Sequence, residues 1–274
     1  MQEFKVDYHI HTIYSDGQST PTHVVKQAKE LDFDVIAITD HDNVNGVKEA
    51  MIAGEAVDLK VVPGIEIATQ TEEGIGVHLL GYGFDPENGE MQELLRQLIR
   101  NRIERNEKLL AVLSSMGYEF DPEELQTGKD EFIGKPVIAR GMVAKGYIRE
   151  EREAYGRDIL GSPQCRAVRK KKPLVAEAIR IVTDAGGIPV FAHPMQTRGL
   201  GRPGSEEFYD HLNEQIARMK KQGLKGMECF YPEHSEDETM RLVAFAEKYH
   251  LHMTRGTDFH GADYIEANRT GRYR

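Results

Sequence analysis

Asp7-Tyr8-His9-Ile10-His11-Thr12 is the stretch that decides the fold. His-X-His ends an apolar run over 4–8, and alternate side chains of an extended strand lie on one side, so two imidazoles can grip one cation. The same juxtaposition recurs along the chain. Asp40-His41 closes the run 35–39, Glu66 follows 61–65, and His78 lies within 76–83. His193 closes 188–192, His234 follows 227–231, and Asp258 and His260 follow 252–257. Nitrogen and carboxylate ligands at many strand ends suit a metal site at the mouth of a barrel of alternating strands and helices. A metal cluster in such a mouth points to hydrolysis.

The segments between these ends carry helical signals. Thr20-Pro21 reads as an N-cap followed by Pro at the first helical position, opening a helix to about residue 31, and 45–57 is a second helix. Continuous apolar strands at 33–39, 59–68 and 75–83, alternating with amphipathic helices, predict an α/β chain with parallel strands. The rhythm breaks at Asp85-Pro86-Glu87-Asn88-Gly89. From Met91 to Met116, Leu94, Leu95, Leu98, Ile99, Ile103, Leu109, Leu110 and Leu113 follow a helical period. Shorter helical pieces follow at 122–126, 136–145 and 149–155. We read 91–172 as a helical insertion, and 1–90 with 173–274 as one discontinuous barrel domain. Alternation resumes with helices at 174–185, 206–222 and 236–249 and strands at 188–192, 227–231 and 251–257. The polar end, 264–274, reads as mobile.

The 274 residues are 39% hydrophobic, enough for a barrel-sized core. Two distant cysteines, Cys165 and Cys229, argue against a disulfide framework and for a reducing cytoplasm. No apolar leader or membrane-length run is present, so a cytoplasmic protein without membrane contact is expected. Net charge is −10, yet residues 91–175 hold 17 Lys and Arg against 13 Asp and Glu. The positive excess thus sits in the insertion. The acidic remainder disfavours long duplex nucleic acid and favours a small substrate or a short oligonucleotide end.

These motifs together resemble the PHP (polymerase and histidinol phosphatase) family. The resemblance rests on Asp7–Thr12 with Tyr14-Ser15-Asp16-Gly17, on Ile38-Thr39-Asp40-His41-Asp42, on Pro63-Gly64-Ile65-Glu66, on Phe191-Ala192-His193-Pro194 and on Gly256-Thr257-Asp258-Phe259-His260-Gly261. It implies a distorted (β/α)7 barrel with two or three divalent metals. One metal would take His9, His11, Glu66 and Asp258. A second would take Asp16, His41 and His260. A third would share Glu66 and add His78 and His193. Mixed N and O ligation suits Mn, Zn or Fe. Water activated by the metals would attack phosphorus, with His234 as general acid and Asp16 as second choice. Asp40 would orient a neighbouring histidine or cap a helix. Relatives often carry Gly-Arg/Lys-Pro-His-Ile-Ala in such an insertion, so Arg140 and Lys135 are implied phosphate contacts. Here Val137 stands where that His would be. Arg198, in a glycine-rich loop, is a third candidate. The run 169–172 reads as a solvated hinge, and Arg255 either points into the mouth or lies outside it.

The insertion resembles the branch of the family acting on nucleoside 3′,5′-bisphosphates or trimming short RNA from its 5′ end. Tyr118, Phe120, Phe132, Tyr147 and Tyr155 would either stack on bases or form the insertion's core. A histidinol-phosphate phosphatase shares the metal set but not the long insertion. A non-catalytic regulatory module would lack ligands, and none is missing. A C–N hydrolase would want a bridging Lys at a strand end, and none is seen.

Overall fold

The computed structural model describes residues 4–121, 125 and 133–273. Seven strands stand side by side in chain order: β1 (Val6–Ile10), β2 (Val35–Ile38), β3 (Lys60–Gln70), β4 (Gly76–Tyr82), β5 (Ile188–Phe191), β6 (Gly226–Phe230) and β7 (His252–Arg255). The last meets the first through a parallel bridge between Ile10 and Phe259, where the His11 amide donates to the Phe259 carbonyl at 2.8 Å. The result is the distorted, nearly closed (β/α)7 barrel of α/β class that the motifs imply.

One expectation is corrected. The strands are not all parallel: β4 runs antiparallel to both β3 and β5. A tight turn over 71–75, held by the Thr71 amide on the Ile75 carbonyl (2.8 Å), joins β3 to β4. With no crossover helix the chain must run back. This reversal serves the site, because it brings His78, near the start of β4, opposite Ala68 of β3 at the mouth where the other strands end.

Ten helices surround the strands among the described residues. They are α1 (Pro21–Glu30), α2 (Asn45–Val57), α3 (Gly89–Ser115), α4 (Lys135–Ala144), α5 (Glu151–Ala154), α6 (Pro163–Ala167), α7 (Val175–Asp184), α8 (Glu206–Lys221), α9 (Glu236–Lys248) and α10 (Tyr264–Thr270). Thr20 caps α1 as expected, accepting from the His23 amide at 3.2 Å. The polar C-terminal run is not mobile over its first seven residues. Asp263 caps α10, and Tyr264 is buried with its hydroxyl 2.6 Å from Asp7 Oδ2.

The apolar side chains gather in layers. One cluster lies between β3–β6 and helices α7–α9, with Met91, Leu94, Leu95 and Leu98 of α3 in it. A second joins β1 and β2 to α1, α2 and α10. A third is built within α3–α6 from residues such as Leu109, Leu113, Ile138, Met142 and Leu160. Tyr118 and Phe120 pack edge-on against Tyr147 at 5.5 and 5.8 Å beside this third cluster, so they form core rather than a stacking platform. Tyr155 is half exposed, while Phe132 and most of 122–126 lie outside the described residues.

Candidate metal centre

The nine residues singled out as metal ligands meet at one mouth. Three overlapping groups have ligand atoms within 4.8 Å of one another: His9, His11, Glu66 and Asp258; His11, Asp16, His41 and His260; and His41, Glu66 and His78. His193 joins through Glu66, its Nε2 lying 2.9 Å from Oε1. Glu66 is the hub: His41 Nδ1 stands 2.7 Å from its Oε2, and His78 Nδ1 2.8 Å from its Oε1. His9 and His11 aim Nε2 at both Glu66 Oε2 (3.5 and 3.3 Å) and Asp258 Oδ1 (3.4 and 3.1 Å). Asp16 approaches His260 Nε2 at 3.2 Å.

The donor set fits divalent cations. Nε2 of His9 and of His11, Oδ1 of Asp16 and Oε2 of Glu66 are buried without a hydrogen-bond partner among the described residues. Each such orphan costs about 1–3 kcal/mol, and four that converge make a socket for a positive ion. Burial alone would raise the Glu66 carboxyl, but His41, His78 and His9 hold it well below the usual carboxylate range. Asp16 is likewise buried yet held well below that range by His41 and His260. An ionised Asp16 suits a ligand better than an acid.

The backbone is set for this purpose. Six non-glycine residues among those described have positive φ. Asp32, Asp58 and His250 follow helix ends, where left-handed backbone is ordinary. Asp42, His193 and Asp258 end no helix; they are held there by the site.

A layer of carboxylates stands behind the ligands, of which only Asp40 was read from the sequence. Glu228, buried in β6, accepts from His9 Nδ1 at 3.0 Å and from the His193 amide at 2.8 Å. It therefore fixes His9 with Nε2 toward the centre and pins the turn that presents His193. Gly256 makes room for this contact: a Cβ there would stand 2.2 Å from His9 Cβ and 2.4 Å from Glu228 Oε1. Asp7 accepts from Thr257 Oγ1 (2.6 Å) and Tyr264, tying the β1 end to the loop carrying Asp258. Asp40 caps no helix. It accepts from the Thr12 amide (2.7 Å), Thr12 Oγ1 (2.7 Å) and Ser15 Oγ (2.6 Å), shaping the loop that carries Asp16. A charge inside the otherwise apolar run Met227-Glu228-Cys229-Phe230 was the available signal for Glu228. Glu228→Gln keeps the shape but weakens the grip on His9, and metal affinity is expected to fall about 10–100-fold, read by titrating Mn²⁺ or Zn²⁺ into metal-free protein.

Loading the centre is coupled to protons. Burial would lower His9, but Glu228 and Glu66 beside it raise it to about 10 in the metal-free protein. A cation binds only the deprotonated Nε2, so a proton must leave. The expected result is release of protons on metal binding and an apparent affinity that rises with pH across the neutral range. Calorimetry in two buffers of different ionisation enthalpy measures it, and identical heats would contradict it.

A cavity of about 910 Å³ opens over the centre, within the range of small-molecule sites. Asp16, His41, His78 and His193 line one side; Arg102, Arg105, Lys135, Lys170, Lys172 and Arg198 also line it. Arg140 instead donates to the Asp16 carbonyl at 3.2 Å. His234 packs on Tyr231 (5.1 Å between centroids), with Nδ1 3.2 Å from the Cys229 carbonyl and Nε2 buried without a partner among the described residues. Arg255 is exposed and lies over the Phe230 ring at 5.2 Å, away from the cavity wall. The run 169–172 is not simply solvated: the Lys170 side chain is 12% exposed and, with Arg102, pairs with Asp42 beside His41.

The profile of the PHP domain family matches residues 7–160. A 5′-3′ exoribonuclease of Haemophilus influenzae is 29% identical over 93% of this chain and 90% of its own length. A 3′,5′-nucleoside bisphosphate phosphatase of Chromobacterium violaceum is 28% identical over 93% and 87%. A phosphoribosyl 1,2-cyclic phosphate 1,2-diphosphodiesterase of Eggerthella lenta is 29% identical over 93% and 94%. Among solved structures, a protein of Bifidobacterium adolescentis assigned as a metal-dependent phosphoesterase superposes with a TM-score of 0.84 at 29% identity, covering 95% of this chain and 89% of that one. No helix among the described residues is long and apolar enough to cross a membrane. With the barrel, the clustered ligands and this profile in agreement, the chain belongs to the PHP domain family and is a hydrolase of phosphate esters.

Proposed function

We propose that the protein hydrolyses a phosphate ester of a small nucleotide, either a nucleoside 3′,5′-bisphosphate or the end of a short 5′-phosphorylated oligonucleotide. One observation carries this reading: the ligand cluster and a row of cations share a single cavity of nucleotide size. The activities named for the Haemophilus and Chromobacterium relatives support the same class of substrate.

When bound, two or three Mn, Zn or Fe ions supply a Lewis acid that lowers the pKa of water and offsets phosphate charge. Glu66, His9, His11, Asp258, Asp16, His41, His260, His78 and His193 would hold them. The insertion, 91–172, brings Arg102, Arg105 and Lys135 to the cavity as a lid would. Arg140 steadies the Asp16 loop through its carbonyl, and Lys135 and Arg198 face the substrate's phosphates. His234 is offered as the proton donor to the leaving oxygen. Its Nδ1 faces a carbonyl, which can only accept, so Nε2 is the atom that would exchange a proton, although it is buried and His234 does not line the cavity. His234→Gln is expected to slow nucleotide hydrolysis about 100-fold while sparing an aryl phosphate whose leaving group needs no proton. Equal losses on both substrates would remove His234 from this role.

Phosphate release by Mn²⁺-loaded protein from adenosine 3′,5′-bisphosphate, a 5′-phosphorylated trinucleotide and histidinol phosphate tests the whole reading, with His193→Ala as control. Turnover of either nucleotide, abolished by the substitution, supports it. Preference for histidinol phosphate, or no release by the metal-loaded protein, overturns it.

A further inference from the structure

Beside the metal centre one strip of the cavity wall is built of acceptors. Tyr231, just past β6, is buried and donates its hydroxyl proton to Asp258 Oδ2 at 3.0 Å. A ligating carboxylate can only accept, so the single Tyr231 hydrogen goes to Asp258 and the hydroxyl oxygen is left to accept. Gln196 meets that demand. Its Nε2 stands 2.8 Å from the Tyr231 hydroxyl and 3.3 Å from Glu233 Oε2. The two amide hydrogens are thereby directed to Tyr231 and Glu233, and Oε1 is turned away from both.

Gln196 is half-buried, Glu233 is exposed, and both line the cavity. Neither Gln196 Oε1 nor Glu233 Oε1 has a hydrogen-bond partner among the described residues. Apart from Asp16 of the ligand groups, the only other carboxylate lining the cavity among the described residues is Asp42, which is paired with Arg102 and Lys170. The Glu233–Gln196 strip therefore presents acceptors without donors in a wall otherwise rich in cations. Such a strip repels phosphate and takes a hydrogen-bond donor.

Its position decides which donor. Gln196 sits in the turn that follows His193, its backbone amide donating to the His193 carbonyl at 2.9 Å, and the Tyr231 ring stands edge-on to the His193 imidazole at 6.0 Å. The strip thus adjoins the metal centre, where the reacting ester sits. In a ribonucleotide the donor nearest an ester on the 3′ oxygen is the 2′-hydroxyl, on the neighbouring carbon; the amino groups of the bases are farther off.

We propose that Glu233, oriented by Gln196, reads the sugar 2′-hydroxyl next to the ester being hydrolysed, so that the enzyme selects ribonucleotides over deoxyribonucleotides. The inference rests on the nucleotide phosphoesterase reading and deepens it. Glu233 touches the substrate; Gln196 is a positioning residue whose own orientation is set from the metal side through Tyr231. A 2′-hydroxyl donates to the carboxylate, whereas a 2′-deoxy sugar offers it nothing.

The test compares kcat/KM for adenosine 3′,5′-bisphosphate and 2′-deoxyadenosine 3′,5′-bisphosphate in Mn²⁺-loaded wild type, Glu233→Ala and Gln196→Leu. Wild type is expected to prefer the ribonucleotide at least about tenfold, the worth of a hydrogen bond to a charged group. Each variant is expected to lose most of that preference, the loss falling mainly on the ribonucleotide. A merely structural role for either residue would lower both substrates in the same proportion and leave the ratio standing. That result overturns the assignment, as does a wild type that hydrolyses both nucleotides equally well. No turnover of either nucleotide by wild type overturns the parent reading and this inference with it, so the two failures are told apart. Glu233 is exposed in the loop between β6 and α9, so its variant keeps the test valid if Gln196→Leu disturbs the turn after His193.

Discussion

Glu66→Ala is expected to lower phosphate release by more than about 1000-fold, with loss of bound metal. Glu66 is fully buried, and its two oxygens are approached by His41, His78, His193, His9 and His11. Removing it takes the shared carboxylate from two of the three ligand groups and leaves the crowd of imidazoles with only Asp16 and Asp258 of those groups to offset a cation. Two cations held close together would then repel with less to offset them. Glu66→Gln separates charge from shape: it fills the same space, yet one of its two positions becomes a donor facing histidine nitrogens. Metal content by elemental analysis, beside the rate, checks the prediction. Retention of both metal and activity in Glu66→Ala would show that the hub is not needed.

The largest effect on stability belongs to Asp42. Its carboxylate, 1% exposed, faces Arg102 and Lys170, which are 9% and 12% exposed. Asp42 also accepts from the Ala68 amide at 3.1 Å. Asp42→Ala leaves a buried and a largely covered cation without their counter-charge, which is expected to cost about 3–5 kcal/mol. Denaturant unfolding of metal-free protein measures it. The pH dependence follows from the direction of the shift. Burial would raise the Asp42 carboxyl, but Lys170 and Arg102 together hold it far below the ordinary range. A group depressed in the folded state stabilises above its unfolded pKa, so the contribution is complete at neutral pH. It is lost as acid protonates the folded carboxylate, and the gap between wild type and variant narrows below about pH 4. A gap that stays constant into acid would contradict the ion-pair account.

The cluster of candidate metal ligands was legible because its residues sit in short local motifs at strand ends, where chemistry and chain position coincide. His9-Ile10-His11 needs only two-residue alternation to be read. What supports them was harder to see. Asp42 finds its partners 60 and 128 residues away, across the insertion, and no local pattern announces such a pairing. Arg102 and Arg105 belong to a helical period that marks which residues share a face but not what that face meets. The reversed strand β4 did leave a trace: Thr71-Glu72-Glu73-Gly74 is too short for a crossover and rich in turn formers. Continuous apolar composition outweighed that trace, because both neighbours of β4 bury it as a parallel sheet would. Helix α10 was missed because its anchor is one aromatic, Tyr264, whose partner Asp7 lies at the opposite end of the chain.

Helix α3 is a single rod of 27 residues, about 40 Å long. Its first turns are mortared into the wall of the barrel, while its last turns are the spine on which the insertion is assembled. Arg102 and Arg105 fall between these ends. Residues 91–115 are therefore not separable from the barrel. Cutting the insertion away at residue 91 would strip Leu94, Leu95 and Leu98 from the barrel's own lining, and replacing it with a relative's would have to preserve the rod. Evolution can vary what the far end presents to a substrate, but only by building outward from a beam already fixed in the foundation.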